Sequence, residues 1–386
     1  MNRHTRLLAI DRGSDPYAAT VPPLYQTATF HQPGAEVAGP YDYSRSGNPT
    51  RAALESKLAE LEGGARGLAF SSGLAALRTL LSALPERPRV VATADLYGGS
   101  CRLLGEWATN RGLELELATD AAALARALRR PADLVLVETP GNPGLGIVDL
   151  ADAARRARDA GALLCVDGSL MTPWLQNPLA AGASVVLHSA TKGLGGHGDV
   201  VAGALITADE ALGERLAFLQ NAEGSALAPF EAWLLARGLK TLGVRVERQQ
   251  AGASALARAL ASVLGADAVL YPGLTGHPGR ACHAAQARGP GTVLSLRLGD
   301  RRRAAAFVDA LELFAITVSF GSVESSVSLP VSMSHASVPV ALRAASRPPD
   351  DLVRISVGLE DPRDLAEDCR RALEISGARA GAGSRP

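Results

Sequence analysis

ASVVLHSATKGLGGHGDVVAGALIT, residues 183–207, is the stretch on which the reading of this chain turns. ASVVLHS is a β-branched apolar run of strand length, and VAGALIT at the other end is a second one. Between them Lys192 follows Ser189 and Thr191 and precedes a run of glycines. A buried strand would deliver all three side chains to its C-terminal end, where open α/β sheets hold ligands. A lysine kept out of water there has a lowered pKa and can form a Schiff base with an aldehyde. The hydroxyls of Ser189 and Thr191 suit a phosphate beside it. Lys-Gly alone is an ordinary solvated turn, so the surroundings must decide. Gly193, Gly195 and Gly198 spell G-x-G-x-x-G, but a dinucleotide fingerprint requires a helix next, and DVVAGALIT is a strand. The nicotinamide-dehydrogenase reading fails on that context. The glycines instead let backbone pass close to the lysine.

Outward from this stretch, short apolar runs alternate with helical ones. RVVATA, LELELAT, DLVLVET and ALLCVDG read as buried strands. TRAALESKLAELEGG, SGLAALRTLLSAL, DAAALARALRR and LADAARRARDAG read as helices. The alternation predicts an α/β domain on a mostly parallel sheet. Beyond residue 210 the pattern is helical through FEAWLLARGLKTLGVRVERQQAGASALARALASVL. A smaller α+β region follows, with strands over TVLSLRLG, ITVSF and DLVRISVGL and helices over RRRAAAFVDALEL and PRDLAEDCRRALEI. The expected organisation is an extended N-terminal arm over 1–48, a large domain over 49–240, a small C-terminal domain over 241–380 and a disordered tail over 381–386.

Composition limits the function classes. Lys+Arg and Asp+Glu are 39 each, so no net field attracts nucleic acid or an anionic membrane, and the expected partner is a small molecule. Four dispersed cysteines without C-x-x-C spacing read as reduced thiols in a cytoplasmic protein, not as a zinc site. The start MNRHTRLLAIDRGSDPY carries no apolar stretch of signal-peptide length, and no run approaches a membrane span. The seven histidines show no metal spacing; His188 and His197, which flank Lys192, read as structural.

Other residues converge on the same chemistry. ALLCVDG ends at Asp167, where a buried carboxylate needs a cationic partner. The protonated ring nitrogen of pyridoxal 5′-phosphate (PLP) is one, although Asp is also a plain turn former before Gly168. Ser71-Ser72-Gly73 opens a helix, either as an ordinary N-cap or as an anion site for the cofactor phosphate. Tyr97 in DLYGGS could stack on an aromatic ring or simply pack. Arg354 sits inside a strand pattern, as an edge residue or as a bidentate carboxylate grip.

Taken in order, YDYSRSGNPTRAALE, SSGLAAL, DLYGGSCRL, VETPGNPGLGIVD, HSATKGLGGHGD and ISVGLED resemble the cystathionine γ-synthase/γ-lyase family, the Cys/Met-metabolism PLP-dependent enzymes. The resemblance implies the PLP-dependent transferase fold of type I, with PLP as cofactor. Lys192 would be the Schiff-base lysine, Asp167 the partner of the pyridine nitrogen, and Tyr97 the residue stacked on the ring. Ser72, Gly73, Leu74, Ser189 and Thr191 would surround the phosphate. Tyr43 and Arg45 would reach the phosphate of a neighbouring subunit, implying a homo-oligomer with shared active sites, a dimer or commonly a tetramer. Arg354, Asn142 and Ser319 would hold the substrate carboxylate. Glu324, Asp42 and Arg102 match residues that γ-acting members present to a distal amino-acid group. That favours γ-elimination or γ-replacement on a γ-substituted L-amino acid, through a vinylglycine-type species, over β-chemistry. Departures alter the pocket without removing a catalytic group: Gly168-Ser169 stands for Asn-Thr, Leu74 for a common Met, and Phe320 and Ser322 fall within a usual Ser-Leu-Gly-Gly. They leave room for a γ-halogenated or unsaturated substrate. A catalytically silent protein on this fold is disfavoured, because Lys192, Asp167, Tyr97 and Arg354 are all present together.

Overall fold

The computed structural model describes residues 2–10 and 15–377, so the expected tail at 381–386 lies outside the described residues. Twelve strands are used below: β1 Arg66–Phe70, β2 Arg89–Thr93, β3 Glu114–Ala118, β4 Leu134–Glu138, β5 Leu163–Asp167, β6 Val185–His188, β7 Gly203–Thr207, β8 Val269–Leu270, β9 Val293–Arg297, β10 Ala315–Ile316, β11 Ser326–Ser328 and β12 Leu352–Ser356.

The larger sheet has seven strands in the order β1-β7-β6-β5-β4-β2-β3. β3, β2, β4, β5 and β6 run parallel, and β7 and β1 close the sheet antiparallel. Parallel neighbours need crossovers, which the helices Gly98–Asn110, Ala121–Ala127 and Leu150–Asp159 supply. Both faces are covered, so β2 and β4 are buried along their whole length. Each buried Val or Leu adds about 1.5–3 kcal/mol of transfer free energy. One consequence matters for chemistry. The C-terminal ends of β4, β5 and β6 gather Glu138, Asp167 and the Ser189–Lys192 turn in one place.

The second sheet, β10-β11-β12-β9-β8, is packed on the helices Leu242–Leu264, Arg301–Ala310 and Pro362–Ser376, with Phe307, Leu256, Leu365 and Ile355 in its core. Among the described residues no helix is long and apolar enough to cross a membrane.

Three expectations change. β1 was not expected: RGLAF is only five residues long and poor in β-branched side chains, and pairing with β7 makes it a strand. ITVSF survives as strand only at Ala315–Ile316, because Ser319 turns the chain at φ +93°. That turn is what brings Ser319 into the site. The arm is not wholly extended, since Arg3–Leu8 is a helix capped by Asn2, with Leu7 buried in the core of the larger unit.

Candidate active site

A cavity of about 190 Å³ opens at the C-terminal ends of β4, β5 and β6. One wall is the start of the helix Gly73–Ser82, where the Ser72 hydroxyl caps the Ala75 amide and Gly73 and Leu74 line the opening. Ser189, Thr191 and Lys192 face this helix start from the turn after β6. Free amides at a helix N-terminus together with hydroxyls form a ready anion cradle. The Thr191 hydroxyl, however, donates to the Ala202 carbonyl at 3.1 Å and accepts from its amide at 3.0 Å, so it is committed to backbone. Tyr97 lies over the cavity, 37% exposed. Its ring occupies space that only glycine leaves open at position 99, where a Cβ would come within 2.4 Å of the ring.

Lys192 Nζ donates to the Ser319 hydroxyl at 2.7 Å. Arg354, on β12, reaches the cavity rim from the second sheet. Its guanidinium donates to the Ser319 carbonyl at 2.7 Å and to Asn142 Oδ1 at 2.9 Å. The side-chain amide nitrogen of Asn142 is buried with no partner in this arrangement, a donor aimed at nothing the chain provides.

Burial sets the electrostatics. The Lys192 ammonium is pulled down to about 8, by desolvation first and then by the charge of Arg354, with Asp167 opposing. Burial lowers Arg354 to about 10. Asp167 is raised by burial, while hydrogen bonds from Ser169 and the positive charges of His188 and Lys192 work the other way. Glu138, which the sequence reading did not assign, lies opposite Asp167 in the β4–β5 ladder and also lines the cavity. Burial, and then repulsion from Asp167, hold it well above the usual carboxylate range. Its Oε2 accepts the Tyr97 amide at 2.8 Å. The signal that found Asp167 was available for it too: an acidic residue closing the buried run LVLVE, as Asp167 closes LLCVD.

The structure therefore brings together Ser72, Gly73, Leu74, Tyr97, Asn142, Asp167, Ser189, Thr191 and Lys192 around one cavity, with Ser319 and Arg354 bonded to its lining. Five further residues lie elsewhere in the single chain. Tyr43 and Arg45 are exposed on the arm, Arg45 stacked on the Tyr43 ring and bonded to Asn221. Asp42 is beside them and exposed, Arg102 is exposed and bonded to Ser337, and Glu324 is exposed on the turn after Phe320.

The family model for Cys/Met metabolism PLP-dependent enzymes matches residues 4–374. This chain belongs to that family. It is 46% identical to a cystathionine β-lyase, chloroplastic, of Mimosa pudica over 96% of this chain and 81% of that protein. It is 43% identical to a cystathionine γ-lyase of Bacillus subtilis over 94% and 96% of the two chains. A solved cystathionine γ-synthase from Xanthomonas oryzae pv. oryzae, in complex with aminoacrylate and cysteine, superposes with a TM-score of 0.93 at 40% identity, covering 98% of this chain and 99% of that one. The fold is accordingly the type I fold of PLP-dependent transferases, and the protein is a PLP-dependent enzyme of carbon–sulfur lyase and replacement chemistry.

For a member of the Cys/Met-metabolism family the cavity fits its cofactor. The cavity lining offers a phosphate cradle of helix amides and Ser189, and a buried carboxylate, Asp167. A lysine of depressed pKa lines the same cavity, and Asn142, whose Oδ1 accepts from Arg354, adds a spare donor in its orphaned amide nitrogen. The Gly168 departure is also explained. A Cβ there would lie 2.7 Å from Cε1 of His188, whose ring is buried behind the sheet in a 2.6 Å contact with Glu62.

Proposed function

We propose that this enzyme carries out γ-elimination or γ-replacement on a γ-substituted L-amino acid such as cystathionine. The observation that carries this reading is Lys192, lining the cavity within reach of the charges of Arg354 and Asp167 and hydrogen-bonded to Ser319. PLP, when bound, supplies an electron sink that makes the protons near the α-carbon labile. Arg354, with Asn142, orients the substrate carboxylate bidentately. Lys192, lining the cavity, would take the proton from the substrate α-carbon through Nζ. The same Nζ then serves the β-carbon, which γ-chemistry requires and β-chemistry does not. One short tether and a pKa near neutrality give it both the reach and the proton affinity for successive transfers. Tyr97 covers the open side and shields those transfers from water.

The assigned site residues follow that proposal: Ser72, Gly73, Leu74 and Ser189 for the phosphate, with Thr191 bracing the turn through its two bonds to Ala202, Asp167 for the ring nitrogen, and Arg354, Asn142 and Ser319 for the carboxylate. Tyr43 and Arg45 are exposed on the arm and do not line the Lys192 cavity, which supports a homo-oligomer in which each arm completes a neighbour's site. Asp42, Arg102 and Glu324 are exposed, and a role for them toward the distal amino-acid group belongs to the same proposal.

A second reading, β-elimination, is favoured by the 46% identity to a β-lyase. The γ-halogenated or unsaturated substrate has no counterpart among the relatives named above. One experiment separates the two sulfur readings: incubation with L-cystathionine and identification of the oxoacid. 2-Oxobutanoate supports γ-cleavage, whereas pyruvate moves the assignment to β-lyase. Turnover only when a thiol amino acid and an activated homoserine ester are supplied assigns γ-replacement.

A further inference from the structure

Phe320 is 7% exposed and lines the active cavity. Its ring centroid lies 5.4 Å from Lys192 Nζ and 5.3 Å from the Arg354 guanidinium carbon. Leu145, Leu170 and Val293 pack around it and fix the ring in place. The preceding residue, Ser319, binds the same two cations, the lysine through its hydroxyl and the arginine through its carbonyl. Two like charges thus share one enclosed site around a single aromatic side chain.

An aliphatic side chain would exclude water equally well but would offer the cations nothing in return. An aromatic face presents negative charge density, and that attraction grows when the cation is desolvated. We propose that Phe320 is a positioning residue for substrate recognition: its ring, 5.3 Å from the guanidinium carbon, holds Arg354 in the place from which it grips the carboxylate of the substrate amino acid. The proposal rests on the substrate reading given above. Holding the guanidinium in place before binding lowers the ordering cost of binding.

The test uses the PLP-loaded enzyme with Phe320 replaced by phenylalanines carrying increasing ring fluorine, up to pentafluorophenylalanine. These change ring electrostatics at nearly constant volume. The probe is L-alanine, which has the α-amine and carboxylate but no leaving group, and its affinity is read from the shift of the visible cofactor band. Stepwise weakening, reaching about tenfold or more for the pentafluoro ring, is the expected result. Phe320→Tyr, which keeps an electron-rich face, should bind alanine within about twofold of wild type. Affinity that stays flat across the fluorine series, with Phe320→Leu lowering only the thermal midpoint, would make the ring a core filler and overturn the proposal. Arg354→Gln is measured alongside. If it binds alanine as tightly as wild type, it is the carboxylate-grip reading that fails, whatever the fluorine series shows.

Discussion

Replacing Glu138 by Gln should make the protein more stable relative to wild type as pH rises. Glu138 is 2% exposed, and burial and Asp167 together push its carboxyl well above the ordinary range. A carboxyl raised in the folded state favours folding while protonated. Its stabilising contribution is complete below the unfolded value, near pH 4.3, and is lost as pH climbs toward the folded value. Within that window the wild type loses about 1.4 kcal/mol per pH unit from this group. Gln keeps an oxygen for the Tyr97 amide, which now donates to Oε2 at 2.8 Å, and does not titrate. The loss per pH unit therefore disappears in Glu138→Gln. For a chain of 386 residues about 1 kcal/mol moves the thermal midpoint by roughly 1–2 °C. The difference in midpoint between Glu138→Gln and wild type, recorded by calorimetry on the PLP-loaded protein from pH 5 upward, should grow by roughly 2 °C per pH unit. Glu138→Ala separates charge from hydrogen bonding. It also removes the titration but orphans the Tyr97 amide, at a cost of about 1–3 kcal/mol that does not depend on pH. A difference curve for Glu138→Gln that is flat with pH would refute the reasoning, since it would mean that Glu138 titrates as an ordinary carboxylate.

Other consequences are simpler to state. Lys192→Ala should abolish the visible band of bound PLP and all turnover, and normal turnover in that variant would remove the central assignment. In the apoprotein the amine of Lys192 becomes free to react as pH rises through about 8, so the rate of PLP uptake should climb through that value and level off above it. An inflection near the ordinary lysine value, about 10.4, would contradict the desolvated site. Glu62→Ala should cost about 1–3 kcal/mol in urea unfolding, because it strips a hydrogen-bond partner from His188 where both side chains are 1% exposed. A loss below about 1 kcal/mol would show that the pair is not structural. Mixing inactive Lys192→Ala with inactive Arg45→Ala under conditions of subunit exchange should restore activity that neither has alone, whereas no recovery would place Arg45 at its own subunit's site.

What could be read without coordinates followed pattern strength. Long helices such as Pro49–Glu62 announce themselves by apolar spacing, an Asn cap and a terminal glycine. Parallel strands such as LVLVE and LLCVD do so by unbroken apolar character. Lys192 and Asp167 were legible because a charged residue closing such a run is costly unless it has work to do. RGLAF escaped because its strand state comes from pairing with β7, a partner more than 130 residues away in sequence, and not from its own side chains. ITVSF misled for the opposite reason: its β-branched residues suggest a strand, but Val318 is exposed and Ser319 is turned to bind Lys192.

Glu138 shows where such reading stops. It satisfied the same rule as Asp167, yet a lone sequence gives no measure of how near two strand ends lie. Only the β4–β5 register sets the two carboxylates opposite each other, and it is that proximity which separates their roles. Two buried carboxylates side by side resist ionising together, so the site tends to hold one proton between them. Asp167 accepts the Ser169 amide and feels the charges of His188 and Lys192, all of which favour its ionised form. Glu138 faces Asp167 and Asp95 with Arg354 as its opposing cation, and is driven further from ionisation. Protonation is therefore favoured at Glu138 over Asp167, which is the division that a cationic ring nitrogen beside Asp167 would require.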